Sequence, residues 1–194
     1  MYTKNNIIKT VNESINVKRT IISQSDSIIK IINKISKCIK KGGKIFICGN
    51  GGSAADAQHI AAEFLIRLRP KLNRKPYPVI SLALDSSTLT ACGNDYGFKY
   101  IFSRGLDALG SKDDILITIT TSGNSQNIRE VCKVAKRKKI KIIGFLGNKG
   151  GKILKYTEDA IIVKSTNTAR IQETHIMLGH LIFEQVENIL IKKK

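Results

Sequence analysis

Short apolar segments separated by helical patterns constrain this chain more than any other feature. Residues 44–48, 79–84, 115–119 and 140–146 each read as a buried strand, and a fifth lies near 160–163. Between most of them the apolar spacing is helical, at 54–66, 125–137 and 151–156. Strands alternating with helices imply an α/β fold with a parallel sheet and right-handed crossovers. Pro70, Pro76 and Pro78 confine residues 69–78 to a loop. A last helix is predicted over 169–191, with Ile171, Leu178, Leu181, Ile182, Val186 and Ile189 on its apolar face.

Ahead of the first strand, residues 14–41 carry Ile21, Ile22, Ile28, Ile29, Ile32, Ile35 and Ile39 at helical spacing, and Gly42-Gly43 ends the run. Such a stripe serves either a core or an oligomer seam. The chain divides into an N-terminal helical segment, 1–41, and the α/β unit, 42–194, which together make one structural domain.

The net charge of +18 raises the question of a nucleic-acid partner. Three features argue for a solvated lysine surface instead. Lysine far outnumbers arginine, the residue suited to bidentate phosphate and base recognition. The charges are spread out, with short runs only at 136–139 and 192–194. Aromatic residues are few and do not interleave with the basic clusters. No apolar run reaches the ~18 residues of a membrane span. The start has no signal-peptide pattern, and Cys38, Cys48, Cys92 and Cys132 form no CxxC pair. The expectation is a cytoplasmic protein with reduced, core-filling thiols.

Two loops carry ligand-binding chemistry. Cys48-Gly49-Asn50-Gly51-Gly52-Ser53 follows a strand and opens a helix. Its glycines permit close backbone approach, and the helix start offers free N–H groups. It is neither GxGxxG nor a Walker loop. Thr120-Thr121-Ser122-Gly123-Asn124-Ser125 likewise follows a strand, where open α/β sheets place ligands, and its hydroxyls suit a phosphate.

His59 and Glu63 stand at i, i+4, on one helix face, and Arg67 continues the row. Such a pair ligates a divalent metal, acts as an acid–base set, or forms a solvated His–Glu contact. The last helix adds Gln172, Glu173, His175 and His180. Gln172 and His180 are ~12 Å apart along a helix and about 80° around it. They meet at one point only by leaning together or if one belongs to a neighbouring subunit. A site against a subunit interface is therefore expected.

The segments CGNGGSAADAQHIAAEF, ACGNDYGF, ITTSGNSQN, GGK and ARIQETHIMLGH closely resemble the phosphoheptose isomerases of the SIS (sugar isomerase) superfamily, from about Gly42 onward. The resemblance implies a flavodoxin-like five-stranded parallel sheet with helices on both faces. It implies interconversion of sedoheptulose 7-phosphate and a manno-heptose 7-phosphate, the first step toward the nucleotide-activated heptose of lipopolysaccharide core. It implies a homotetramer with one zinc ion per subunit. Matching positions make His59, Glu63, Gln172 and His180 the metal ligands. Substrate contacts fall on Asn50, Gly51, Gly52, Asn94, Asp95, Thr120, Thr121, Ser122 and Ser125, with Glu63, Arg67 and Gln172 lining the same site. Relatives often have Ser where Thr120 stands. Enediol chemistry needs a base at carbon and an acid at oxygen; the expectation is Glu63 as the base and His180 as the acid. Non-catalytic SIS proteins, which bind the replication initiator or sense a sugar phosphate, share the fold and loops. Those that bind the replication initiator tend to lack the Glu and the final His that this chain keeps.

Overall fold

In the computed structural model the described residues are 3–83 and 85–191. The predicted strand end at Leu84 and the basic run at 192–194 lie outside them. Five strands form one parallel sheet: β1 (Ile45–Gly49), β2 (Val79–Ser81), β3 (Ile115–Thr120), β4 (Lys141–Gly147) and β5 (Asp159–Val163). Their order is β2-β1-β3-β4-β5. The register runs straight across, with Ile45 beside Ile115 and Ile115 beside Lys141.

Side chains alternate along each strand, so each strand feeds two cores. Ile45, Ile47, Ile115, Ile117, Ile119, Ile143 and Phe145 face one apolar layer. Phe46, Cys48, Leu116, Ile142 and Leu146 face the other. Both faces are therefore buried, which is why the strands read as continuous apolar runs. The first layer is covered by α2 (Ser25–Lys40), α3 (Gly52–Leu65) and α7 (Thr168–Ile191). The second is covered by α4 (Ser86–Asp95), α5 (Ser103–Leu109) and α6 (Gln126–Arg137). The predicted helix at 151–156 is a 3-10 segment, Gly151–Tyr156.

The N-terminal segment differs from its predicted form. Helix α1 (Lys4–Arg19) begins ten residues before the expected start, and a 3-10 turn (Thr20–Gln24) separates it from α2. The break lets Gln24 meet the β5 edge: its Nε2 donates to the Ile162 carbonyl and its Oε1 accepts from the Ile162 N–H, both at 2.9 Å. An edge strand is thereby satisfied by one side-chain amide. The isoleucine stripe splits as well. Ile28, Ile32, Ile35 and Ile39 enter the core, whereas Ile22 and Ile29 are exposed, as is Leu181 on α7. Helix α1 buries no residue; Ile7, Ile8, Val11 and Ile15 all face outward.

Helices α3 and α7 run side by side in the same direction. Gly52 meets Gln172, Ile60 packs on Gly179, and Phe64 stacks edge-on with Phe183 at 4.5 Å. A Cβ on Gly179 would lie 2.4 Å from Ile60, so glycine sets how closely the two helices approach. A buried ion network locks their far ends. Glu187 accepts from Arg74 Nε and Arg69 Nε, each at 2.6 Å. Arg74 also donates to the carbonyls of Glu63 and Phe64 at the end of α3. The proline-rich loop is thus clamped between the helices.

Removing one partner of a buried ion pair leaves an uncompensated charge. Arg74 is 3% exposed and Glu187 wholly buried, so Arg74→Ala should cost about 3–5 kcal/mol in urea unfolding. Arg69 is a third exposed, and Arg69→Ala should cost ~1 kcal/mol or less.

His175 is fully buried, its ring 6.4 Å from that of Phe145, and neither nitrogen makes a hydrogen bond of good geometry. Burial pushes its pKa down to about 4, a shift only partly offset by the Leu146 backbone. The folded state stays neutral where the unfolded state takes up a proton. Stability tied to His175 is therefore complete above pH 6.5 and is lost as the pH falls toward 4. His175→Phe should flatten the stability–pH curve in that window, as read by thermal unfolding between pH 7 and 4.

Candidate active site

Both glycine- and hydroxyl-bearing loops leave the carboxyl ends of adjacent strands, β1 and β3, where the strand order reverses. Open α/β sheets hold ligands at this switch point. Two amides tie the loops together. Asn50 Nδ2 donates to Asn127 Oδ1 at 2.9 Å, and Asn127 Nδ2 donates to Asn50 Oδ1 at 2.7 Å. Asn127 is buried and also caps the Ile128 N–H. Asn50 is an expected ligand contact, and Asn127 is not among the expected site residues. The available signal was its place in the first turn of the helix after the hydroxyl loop.

In the first loop Gly51 has φ +55, and Gly52 opens α3. In the second, the buried Thr120 accepts from the Gly123 N–H at 3.2 Å, so its hydroxyl braces the loop. Ser122 and Asn124 bond within the loop, and Asn124 Oδ1 accepts from the Lys152 N–H. Gly123 has φ +64, and a Cβ there would sit 2.0 Å from the Gly150 carbonyl oxygen. Ser125 precedes α6 without using its hydroxyl as a cap.

Three of the four expected metal-binding side chains converge within one chain. His59 Nε2 and His180 Nε2 are 3.0 Å apart. Glu63 Oε1 lies 3.2 Å from His59 Nε2 and 3.4 Å from His180 Nε2. The cause is the side-by-side packing of α3 and α7, which sets His180 opposite His59. Donors ~2.0–2.1 Å from a tetrahedral zinc are about 3.3–3.4 Å from one another. Two imidazoles and a carboxylate at this spacing fit a divalent transition ion. Glu63 Oε2 is buried without a partner. The imidazoles are open, with side chains 53% and 43% exposed.

The amide of Gln172 does not join them. It lies against Gly52, seven residues before His59, about 10 Å back along α3. The expected meeting of Gln172 and His180 through leaning side chains does not occur in a single chain. Arg67 does not continue the His59–Glu63 row either: α3 ends at Leu65, and Arg67 is exposed beyond it. Asn94 and Asp95 lie on a separate helix, at the end of α4, with Asn94 Nδ2 bonded to Asp95 Oδ1.

Asp56 was not anticipated. Its Oδ2 is buried and unpartnered, and burial raises its pKa while the neighbouring His59 and His180 oppose the rise. It stands three residues before His59 and seven before Glu63, so helical spacing already aligned it with them.

The glycines separate local from global effects. A Cβ at Gly52 would fall 2.6 Å from the movable tip of Gln172, so Gly52→Ala should displace that amide and change stability by ~1 kcal/mol or less. Gly123→Ala meets rigid backbone at positive φ and should cost about 4 kcal/mol or more. Chemical denaturation of the two variants checks the contrast.

Comparison with known proteins agrees with this geometry. The SIS domain family matches residues 10–147. The phosphoheptose isomerase of Clostridium acetobutylicum is 45% identical over 194 residues, with 98% of each chain covered. The structure of a phosphoheptose isomerase from Francisella tularensis superposes with TM-score 0.91 at 34% identity, covering 97% of this chain and all of that one. That from Neisseria gonorrhoeae gives 0.89 at 36% identity, covering 95% and 98%. With its two loops, its His–Glu–His cluster and full-length similarity of this kind, the chain belongs to the phosphoheptose isomerase family of SIS-fold enzymes.

Proposed function

We propose that this protein interconverts sedoheptulose 7-phosphate and D-glycero-D-manno-heptose 7-phosphate, the first step toward nucleotide-activated heptose for lipopolysaccharide core. The observation that carries the reading is the spacing of His59 and Glu63, on the helix that opens from the glycine loop, and His180, on α7, at 3.0–3.4 Å from one another. In this reading the three side chains hold one zinc ion per subunit. Bound zinc would polarise the sugar carbonyl.

The remaining work falls to the chain's own groups. The hydroxyls of Thr121, Ser122 and Ser125 and the N–H groups at Gly51 and Gly52 bind the sugar phosphate, with Asn50 and Thr120 bracing the two loops. Anchoring the phosphate positions the reacting carbons. Glu63 serves as base at carbon. Its two oxygens differ: Oε1 faces both imidazoles, and Oε2 has no hydrogen-bond partner in the protein, leaving it free to take a proton. His180 serves as acid at oxygen. Asn94, Asp95 and Arg67 complete the substrate contacts in the assembled enzyme.

We assign a homotetramer with sites near subunit interfaces. Two features support it. The apolar outer face of α1 is uncovered, and so are Ile22 and Ile29. The half-open imidazoles and the separated amide also call for a neighbour, and Gln172 of the partner subunit supplies the fourth metal ligand in this reading. A cytoplasmic location fits four free, buried cysteines, of which Cys38 and Cys132 are pushed up to about 11 and 12 by burial. Among the described residues no helix is long and apolar enough to cross a membrane.

The test is an isomerase assay by NMR with zinc and sedoheptulose 7-phosphate. The aldose should form, a chelator should stop the reaction, and Glu63→Gln should lower turnover about 10²–10⁴-fold. Near-normal turnover by Glu63→Gln would remove it as the base, and no aldose from the wild type would end the reading.

A further inference from the structure

A concentration of unpaired charge lies at the opposite end of the sheet from the candidate active site. A cleft of about 630 Å³ opens where β1, β3 and β4 begin. Its walls are the end of α2, the turn at Gly42-Gly43 and the turn at 111–114. Six lysines line it: Lys34, Lys37, Lys41, Lys44, Lys112 and Lys141.

The acids nearby do not neutralise this surface, because most of them face inward. Asp114 is 2% exposed and Asp159 is 9% exposed. Asp159 pairs with Lys30 and Lys34, and Asp114 pairs with Lys44. Asp113 is the one exposed acid on the rim. Among the described residues Lys37, Lys41, Lys112 and Lys141 make no ion pair, so four ammonium groups share one concavity. Like charges gathered this way repel unless an anion joins them.

The cleft walls are held in place before any ligand arrives. Asp114 Oδ1 accepts from the Lys44 N–H and Oδ2 from the Ser111 N–H, both at 2.8 Å. One buried carboxylate therefore pins the two turns together. The Cys38 thiol, buried between them, reaches the carbonyls of Asp113 and Lys44 at 3.4 and 3.6 Å. Preorganised walls reduce the ordering cost of binding. Ammonium groups act as point charges for phosphate, without the planar geometry that base or carboxylate forks select.

We propose that this cleft is a second anion site and takes an oligophosphate chain, either inorganic or carried by a nucleotide. The site is independent of the isomerase reading: strands of five to seven residues, ~15–20 Å long, separate it from the two catalytic loops.

Isothermal titration of the full chain with sodium tripolyphosphate, and separately with ATP, tests this. Two variants of equal charge change are compared, Lys41→Glu/Lys112→Glu in the cleft and Lys4→Glu/Lys9→Glu on α1. All four positions are exposed, and circular dichroism confirms that each variant is folded. The cleft variant should bind tripolyphosphate about tenfold more weakly or worse, and the α1 variant within about twofold of wild type. ATP binding equal to that of tripolyphosphate supports an inorganic chain, and tighter ATP binding supports a nucleotide. Four outcomes overturn the proposal: no binding by the wild type, equal losses in both variants, no loss in the cleft variant, or duplex DNA bound more tightly than tripolyphosphate through the same lysines.

Discussion

The site rests on how closely α3 and α7 lie against each other. Neither helix alone brings its functional groups together. His59 and Glu63 share a face of α3, and His180 reaches them because the two helices run parallel and in contact from Gly52–Gln172 to Phe64–Phe183. Gly179 removes the side chain that would hold α7 away from Ile60, and the Phe64–Phe183 pair fills the space beyond. The Glu187–Arg74 network then ties α7 to the backbone at Glu63 itself. A buried ion pair is weak evidence for net stability, but it defines one register, and register is what a three-residue cluster needs.

The same economy of contacts holds at the loops. Asn50 and Asn127 bond reciprocally, so the loop after β1 cannot move without the loop after β3. Thr120 turns its hydroxyl to its own loop, leaving Thr121, Ser122 and Ser125 nearer the solvent side. One end of the sheet thereby carries two loops held in a fixed relation. The other end is shaped by Asp114 and crowded with lysine. Six of the lysines behind the net charge of +18 line the cleft there, at the end of the sheet away from the two loops.

Much of this architecture was legible in the residues. The five strands are where apolar runs stand between turn signals, because a sheet buried on both faces needs continuous apolar strands. The pairing of His59 with Glu63 follows from helical spacing, as does the alignment of Asp56 with them. The interruption at Thr20–Gln24 was not legible, since the isoleucine spacing continues through it and the bonds made there by Gln24 go to a strand 138 residues away. The outward turn of Ile22 and Ile29 was hidden for the same reason: periodicity reports an apolar stripe without naming what covers it.

The sequence by itself determined the α/β class, the two glycine- and hydroxyl-bearing loops and the family, because local periodicity and short motifs are properties of neighbouring residues. Only the tertiary structure decided which side chains meet. It joined His180 to His59 across 121 residues, left the Gln172 amide against Gly52, ended α3 before Arg67, and linked Asn50 to Asn127. Those outcomes depend on interhelical distance and direction, set by Gly179, the paired phenylalanines and a buried glutamate, and no spacing along the chain encodes them.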